Sequence, residues 1–459
     1  MTHTMNQTDF GQTATDQLRN RLAAAGQEHT LQFWDQLEPG ERAQLTAQLE
    51  SIDVNRLNCQ DEGSELDLDE ATLTAPDQIK WSADSSEDES LVKLGEQMMS
   101  RGELGVLIAA GGQGTRLGLS QPKGCLPIGP VTGASLFQIL IEKVVAASRE
   151  FDCEIPVVML CSPATHRETI EYLDAENWFG LPESCRHTLC QKTLPAVDRK
   201  TGRLLMESPS SLCLSPNGHG GHLSELVDCG LLEKLTDAGV TTLFYCQVDN
   251  PMAPLCEPGV IGEHLRNEAE LTVLVTPRTS PEEKVGTVIC VDGVPQVIEY
   301  TIIPEELAAR RDAEGRLEFR AANTGIHLFD TAFLQREANH FSSLPLHQAN
   351  KKVPHIDEQG ATVIPDEPNA IKFERFIFDV FPRSRKTLVL EIDPLTGFAP
   401  VKNADGANSP SEVQGQILQA NRAWLASRGL RVDEGVPVET VPMLTSFTDP
   451  EIRLGRRVA

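Results

Sequence analysis

Three absences narrow the reading of this 459-residue chain. Basic charge is scarce: 40 Lys and Arg stand against 67 Asp and Glu, a formal net charge of -27. Such a surface repels nucleic acid and anionic membranes, so neither is expected as a partner. Any polyanion must be held by a local cluster of cations. No stretch approaches the roughly 18 consecutive apolar residues of a membrane span, and Met1–Gln12 lacks a basic segment followed by an apolar one. The 11 cysteines include no CxxC pair, which argues against a zinc cluster or a disulfide framework and for reduced thiols in the cytoplasm.

The acidity is uneven. Residues 1–100 hold 20 acidic and 6 basic side chains, about half of the net charge. Residues 12–26 and 29–56 read as helical, with a break at Pro39-Gly40 and Leu45 and Leu49 on one face. Residues 58–90 read as an acidic surface linker, and Val92–Arg101 as a helix ended by Gly102. The region 1–98 is therefore expected to be a helical N-terminal region with an acidic linker, packed outside a catalytic domain.

From Leu104 the texture changes. Leu104–Ala110 is a continuous apolar run, the mark of a central parallel strand. Strand and helix patterns then alternate: a helix over 135–150, a strand over 155–161, helices over 166–174 and 223–238, and a strand over 241–247. This alternation predicts an α/β fold with a mostly parallel, mixed sheet covered on both faces. A hairpin is expected about Asp292-Gly293, extended chain over 362–373, a helix over 374–381 and another over 410–428. The strand-like last thirty residues suggest a small cap. The expected boundaries are 1–98, a catalytic domain at 99–395 and a small C-terminal domain at 396–459.

The strongest motif follows the first central strand: Gly111, Gly112, Gly114, Thr115, Arg116 and Gly118, then Pro122, Lys123 and Gly124. Glycines let the backbone approach a phosphate and aim its N–H groups at the oxygens. Arg116 offers a fork and Lys123 a mobile point charge, suited to different phosphates of one triphosphate. The run lacks both the Gly-Lys-Ser/Thr of a P-loop and the GxGxxG with a later acid of a dinucleotide fold. A second signal is Asp249, beyond a buried strand, where such sheets bind ligands and a carboxylate suits Mg²⁺. A third is Asn217–His222, whose glycines at 218, 220 and 221 suggest close approach to a flat group such as a base. His219 and His222, three apart in that loop, are weak metal candidates. Gln191 sits at an expected strand end, where its amide could read a base edge. Lys402, Asn323, Glu299 and Tyr300 read equally well as ordinary surface groups.

These motifs together resemble the UDP-N-acetylhexosamine pyrophosphorylase family of uridylyltransferases, with likeness running from Phe33-Trp34 to Asp405. The resemblance implies a Rossmann-like nucleotidyltransferase (GT-A-like) central domain, with a helical N-terminal region and a small C-terminal domain. It implies UTP and a sugar 1-phosphate as substrates, giving a UDP-sugar and pyrophosphate with Mg²⁺. Carried over by residue, it implies that Gly111, Gly112, Gly114 and Thr115 wrap the UTP. Arg116 and Lys123 would meet its phosphates, Gln191 and Gly221 the uracil, and Asp249 the metal. Gly286, Glu299, Tyr300 and Asn323 would line the sugar pocket, Phe376 and Phe378 its aromatic wall, and Lys372 and Lys402 its phosphate side.

Three segments depart from the family pattern: Gln191–Pro195, Asn217–Gly221 and Ala322–Ile326. They leave the nucleotide reading standing and the sugar open between N-acetylglucosamine, N-acetylgalactosamine and glucose 1-phosphates. The rival readings are a broad-specificity or UDP-glucose-type enzyme, a transferase using CTP or a non-sugar phosphate, and a non-catalytic UDP-sugar-binding protein. A monomer is expected.

Overall fold

The computed structural model describes residues 7–57, 72–80 and 89–456. Cys59 and most of the acidic stretch 58–90 lie outside the described residues. Contacts divide the chain into two compact units.

The first unit gathers residues 1–66, 192–221 and 345–376. It carries helices α1 (Gln7–Ala24) and α2 (Pro39–Glu50). Pro39-Gly40 starts α2 and does not interrupt a helix. Pro39 occupies the first turn, where its missing N–H costs nothing, and Glu38 and Glu41 close a reciprocal capping box ahead of it. Leu45 and Leu49 are fully buried, in one apolar cluster with Leu22, Val197, Leu212 and Phe373. The α1–α2 region therefore shares its core with strands from the middle of the chain.

The second unit gathers residues 67–191, 222–344 and 377–459. In chain order its main elements are β1 (Gln78–Lys80), α3 (Glu89–Ser100), β2 (Leu104–Ala109), α4 (Leu136–Glu150), β3 (Val157–Cys161), β4 (Arg186–Cys190), β5 (Thr242–Gln247), α5 (Pro258–Arg266), β6 (Leu271–Pro277), β7 (Ala321–Asp330), β8 (Thr387–Glu391) and α6 (Pro410–Ser427). The sheet order is β1-β8-β6-β7-β5-β2-β3-β4, and every neighbouring pair is parallel except the two that β7 makes. This is the mixed, mostly parallel α/β sheet expected from the alternation. β2, β3 and β5 are apolar and buried nearly throughout, as parallel strands covered on both faces must be.

The domain boundaries fall elsewhere than the sequence suggested. Leu73–Thr74 and β1 lie inside the supposed linker, yet both join the sheet. Val413, Ile417 and Ala420 of α6, with Met443, belong to the main core of the second unit, so the C-terminal residues do not form a core of their own. The expected helix over 223–238 is two helices, broken at Gly230 with φ +72°. The helix expected over 374–381 is the end of a strand at Glu374 followed by a 3-10 turn over Ile377–Arg383.

A buried histidine links this core to pH. His264 on α5 is 2% exposed, and its Nδ1 lies 2.8 Å from Thr272 Oγ1 on β6. Burial pushes its pKa down to about 4, whereas an unfolded imidazole titrates near ~6.5. Between those values the unfolded chain binds more protons at this site, so stability rises with pH there and falls on acidification. The melting midpoint is expected to drop from pH 6.5 toward pH 4 by about that linkage, and His264→Gln should flatten the slope in that window.

Candidate active site

The geometry begins with the register of two parallel strands. Ala109 of β2 sits opposite Gln247 of β5, and Val248 N–H donates to Ala109 O at 3.0 Å. The loop leaving β2 and the turn leaving β5 must therefore emerge side by side at the carboxyl end of the sheet, where open α/β sheets bind ligands.

The loop over 110–124 is held from below and left open above. Ser162 Oγ donates to Gly111 O at 2.8 Å and Thr165 Oγ1 to Ala110 O at 3.2 Å. Lys123 N–H closes the loop on Gly112 O at 3.2 Å. Gly114 and Gly118 take φ of +69° and +67°, the left-handed region that bars most side chains. Gly124 lies flat on Phe137, whose ring would sit 2.2 Å from an added Cβ. Gly112, Thr115 and Arg116 are exposed.

Lys123 leads from this loop to Asp249. Its Nζ donates to Asp249 Oδ2 at 2.8 Å, with the two side chains 15% and 12% exposed. Gln191, 5% exposed, follows β4 and places its Oε1 3.4 Å from where a Cβ on Gly111 would stand. Val401 N–H donates to Asp249 O at 2.9 Å, which seats the exposed Lys402 one residue beyond a fixed point of this turn. The structure thus brings together Gly111, Lys123, Gln191, Asp249 and the base of Lys402.

A second group forms on the same sheet. Asn323 N–H donates to Gly286 O at 2.8 Å, and a Cβ on Gly286 would lie 3.0 Å from Glu299 Oε1. Between Leu274 and Val275 the partner on β7 jumps from Ile326 to Asn323. Thr324 and Gly325 form the resulting bulge, with Gly325 at φ +69° and Thr324 Oγ1 donating to Leu274 O at 2.6 Å. Bulges re-aim side chains beside active sites, and here the device acts on Asn323. Tyr300 is 44% exposed next to Glu299, and Phe378 packs edge-on against Phe381.

Gly221, Lys372 and Phe376 belong to the first unit. The glycine loop there packs closely on the neighbouring chain of the same unit. Gly220 N–H donates to Arg375 O, and Arg375 N–H to Asn217 O, both at 2.8 Å. A Cβ on Gly218 would meet Arg375 O at 2.3 Å, one on Gly220 would meet Phe376 O at 2.6 Å, and one on Gly221 would meet Asn217 Oδ1 at 2.1 Å. The close approach seen at these glycines is made by the protein's own chain. Phe376 stacks with His347, ring centroids 4.2 Å apart, and with His219, at 5.3 Å. Burial, reinforced by His347, lowers the pKa of His219 to about 4. Among the described residues no three or more His, Cys, Asp or Glu side chains converge as a ready-made metal cage.

Sequence reasoning missed three groups. Gln247 ends β5 with its amide against Gly325, whose Cβ would lie 3.1 Å from Nε2. Lys143 on α4 is 1% exposed and donates to Pro251 O at 3.0 Å and Ala253 O at 2.8 Å. Its charge is destabilised by burial, which lowers its pKa to about 8. Asn250 is 1% exposed beside Asp249. A lysine in an otherwise apolar helix face was the one visible signal among the three.

A glycine-rich loop after the first central strand, facing a cation–carboxylate pair at the carboxyl end of a mostly parallel sheet, defines an α/β nucleotidyltransferase-like fold. The sequence model of the family described as UTP--glucose-1-phosphate uridylyltransferase matches residues 50–437, and the chain belongs to that family. It is 33% identical over 457 residues to the human UDP-N-acetylhexosamine pyrophosphorylase-like protein 1, covering 94% of this chain and 90% of that protein. It is 32% identical over 444 residues to the Saccharomyces cerevisiae UDP-N-acetylglucosamine pyrophosphorylase, covering 92% and 93%. Among solved structures it is similar to the uridine diphosphate N-acetylglucosamine pyrophosphorylase of Trypanosoma brucei, with TM-score 0.78, 26% identity, and 93% and 87% of the chains covered.

Proposed function

We propose that this protein transfers UMP from UTP to a sugar 1-phosphate, preferentially N-acetylglucosamine 1-phosphate, releasing pyrophosphate and a UDP-sugar. The observation that carries the reading is the Lys123–Asp249 pair at the mouth of the Gly111–Gly124 loop. Family membership and the relatives' names support the reaction class. The choice of sugar rests on those names and on the Gly286–Glu299–Asn323 group.

The chemistry is a direct displacement. A nonbridging oxygen of the sugar 1-phosphate bonds to the α-phosphorus of UTP as the bond to the bridging oxygen breaks, and pyrophosphate leaves with the electron pair. The attacking group is already an anion, so no protein nucleophile is required and a general base adds little. Loop N–H groups and Arg116 would hold the triphosphate, Lys123 would meet the reacting phosphate, and Lys402 would approach from the sugar-phosphate side. Fixed cations around the phosphoryl oxygens and an aligned pair of reactants lower the barrier. Asp249 fits Mg²⁺: it is a hard oxygen donor, and this ion commonly uses one or two carboxylates with substrate phosphates and water. Bound there, Mg²⁺ would reduce repulsion between the two anionic substrates.

Pyrophosphate release from UTP with a panel of sugar 1-phosphates tests the proposal. Turnover with N-acetylglucosamine 1-phosphate is expected to exceed that with glucose 1-phosphate by about 10-fold or more in kcat/KM. A preference for glucose 1-phosphate would support instead the reading in the family description, and CTP in place of UTP should give little product. No helix among the described residues is long and apolar enough to cross a membrane. A cytoplasmic monomer is part of the proposal.

A further inference from the structure

We infer that Asn250 is a positioning residue that couples the Asp249 turn to the segment delivering Lys402; the inference rests on the uridylyl-transfer reading above. Its side chain is buried, 1% exposed, and makes three hydrogen bonds. Nδ2 donates to Gly397 O at 3.1 Å. Oδ1 accepts from Met252 N–H at 3.2 Å and from Ala399 N–H at 3.0 Å. One amide therefore ties its own turn to a segment almost 150 residues away.

The surroundings make this tie a rigid one. Pro251 O and Ala253 O are held by Lys143 Nζ. On the far side Gln416 Nε2, from α6, donates to Pro394 O at 2.8 Å and Phe398 O at 3.0 Å. Ala399 and Val401 are 2% and 0% exposed, and the Val401 N–H bond to Asp249 O completes the junction. Two clamped segments thus meet, and Asn250 supplies the side chain between them.

The residue type is dictated by the bonds. The site needs a donor for one carbonyl and an acceptor for two N–H groups, which a carboxamide of this length gives and an ionised carboxylate does not. The substitution Asn250→Asp would keep the acceptors and set a carboxylate against Gly397 O. The substitution Asn250→Ala would strand three buried backbone groups, each costly without water. In both cases the reactive parts remain present while their separation is no longer fixed, and small misplacements cost rate more than binding.

The test uses the full chain with Asn250→Ala, Asn250→Asp, Lys402→Ala and the double variant Asn250→Ala/Lys402→Ala. Asn421→Ala is the control for stability alone, because Asn421 is also buried and bonds Ile417 O and Thr440. Asn250→Ala is expected to lower kcat by about 10-fold or more, with KM for UTP changed less than about 3-fold. Deuterium exchange should rise in peptides covering 397–403. The double variant should be no more than about 2-fold slower than Lys402→Ala alone, because the two act as one unit. Asn421→Ala should lower the melting midpoint and leave kcat near wild type. If Asn250→Ala does not fold, Asn250→Asp carries the same exchange and rate readouts. Independent, multiplying effects of the two substitutions, or unchanged exchange over 397–403, would overturn the inference. A wild-type chain that releases no pyrophosphate would refute the reaction assignment, and the exchange result would then decide the coupling by itself.

Discussion

Lys123→Met is expected to lower kcat for uridylyl transfer by about 10²- to 10³-fold, the range for removing one preorganised charge-stabilising donor. Methionine keeps the unbranched stem as far as Cε, and the loop closure through Lys123 N–H and the packing of Gly124 on Phe137 involve no part of the ammonium, so both survive. What is lost is the ammonium 2.8 Å from Asp249. The pair is mostly covered, so Asp249 alone leaves an uncompensated charge, and some stability is lost as well. That cost is separable, because it moves the melting midpoint and cannot produce the full loss in rate. Asp249→Asn should act differently. It removes a charge and keeps an oxygen, so the Mg²⁺ concentration for half-maximal turnover is expected to rise about 10-fold or more. Steady-state kinetics on both variants over a Mg²⁺ series checks the pair. Turnover within about 3-fold of wild type for Lys123→Met would remove this lysine from the reacting phosphates.

The two ends of that pair were legible in the sequence for a physical reason. Buried parallel strands advertise themselves as unbroken apolar runs, as Leu104–Ala109 and Thr242–Gln247 do. Parallel strands in one sheet release their following loops at the same end, so Lys123 and Asp249 could be placed together before any coordinates. Elements that depend on a distant partner were not legible. Gln78–Lys80 lies in polar, acidic sequence and is a strand because it pairs with Val389–Glu391, more than 300 residues later. Gly218 and Gly220 announced a close approach correctly, but a glycine does not report what approaches, and here it is Arg375 and Phe376. Asn250 gave no signal of its own, because its partners, Gly397 and Ala399, lie in a loop with no pattern of its own.

Gly262→Ala is expected to destabilise the second unit by about 3 kcal/mol or more, at the upper end of overpacking costs. α3 and α5 cross so closely that each offers a glycine to the other's backbone. A Cβ on Gly262 would lie 2.0 Å from Leu91 O, and one on Gly95 would lie 2.1 Å from Pro258 O. Neither obstacle is a side chain that can turn aside, so the helices must separate. Separation would loosen Met98 and Met99, which α3 contributes to the main core, and expose the buried Leu91. It would also displace Pro258, the first residue of the helix that Pro251–Glu257 leads into from Asp249, so lost stability and lost activity should appear together. Gly415→Ala is the opposing case. Gly415 lies in α6, is exposed, and has nothing within 4 Å of an added Cβ. There the substitution only restricts the unfolded chain and improves helix propensity, so a gain of about 0.5–1 kcal/mol is expected. Denaturant midpoints for the two variants should move in opposite directions. A Gly262→Ala protein within about 0.5 kcal/mol of wild type would mean that the α3–α5 crossing is wider than described, and with it the support beneath the Asp249 turn.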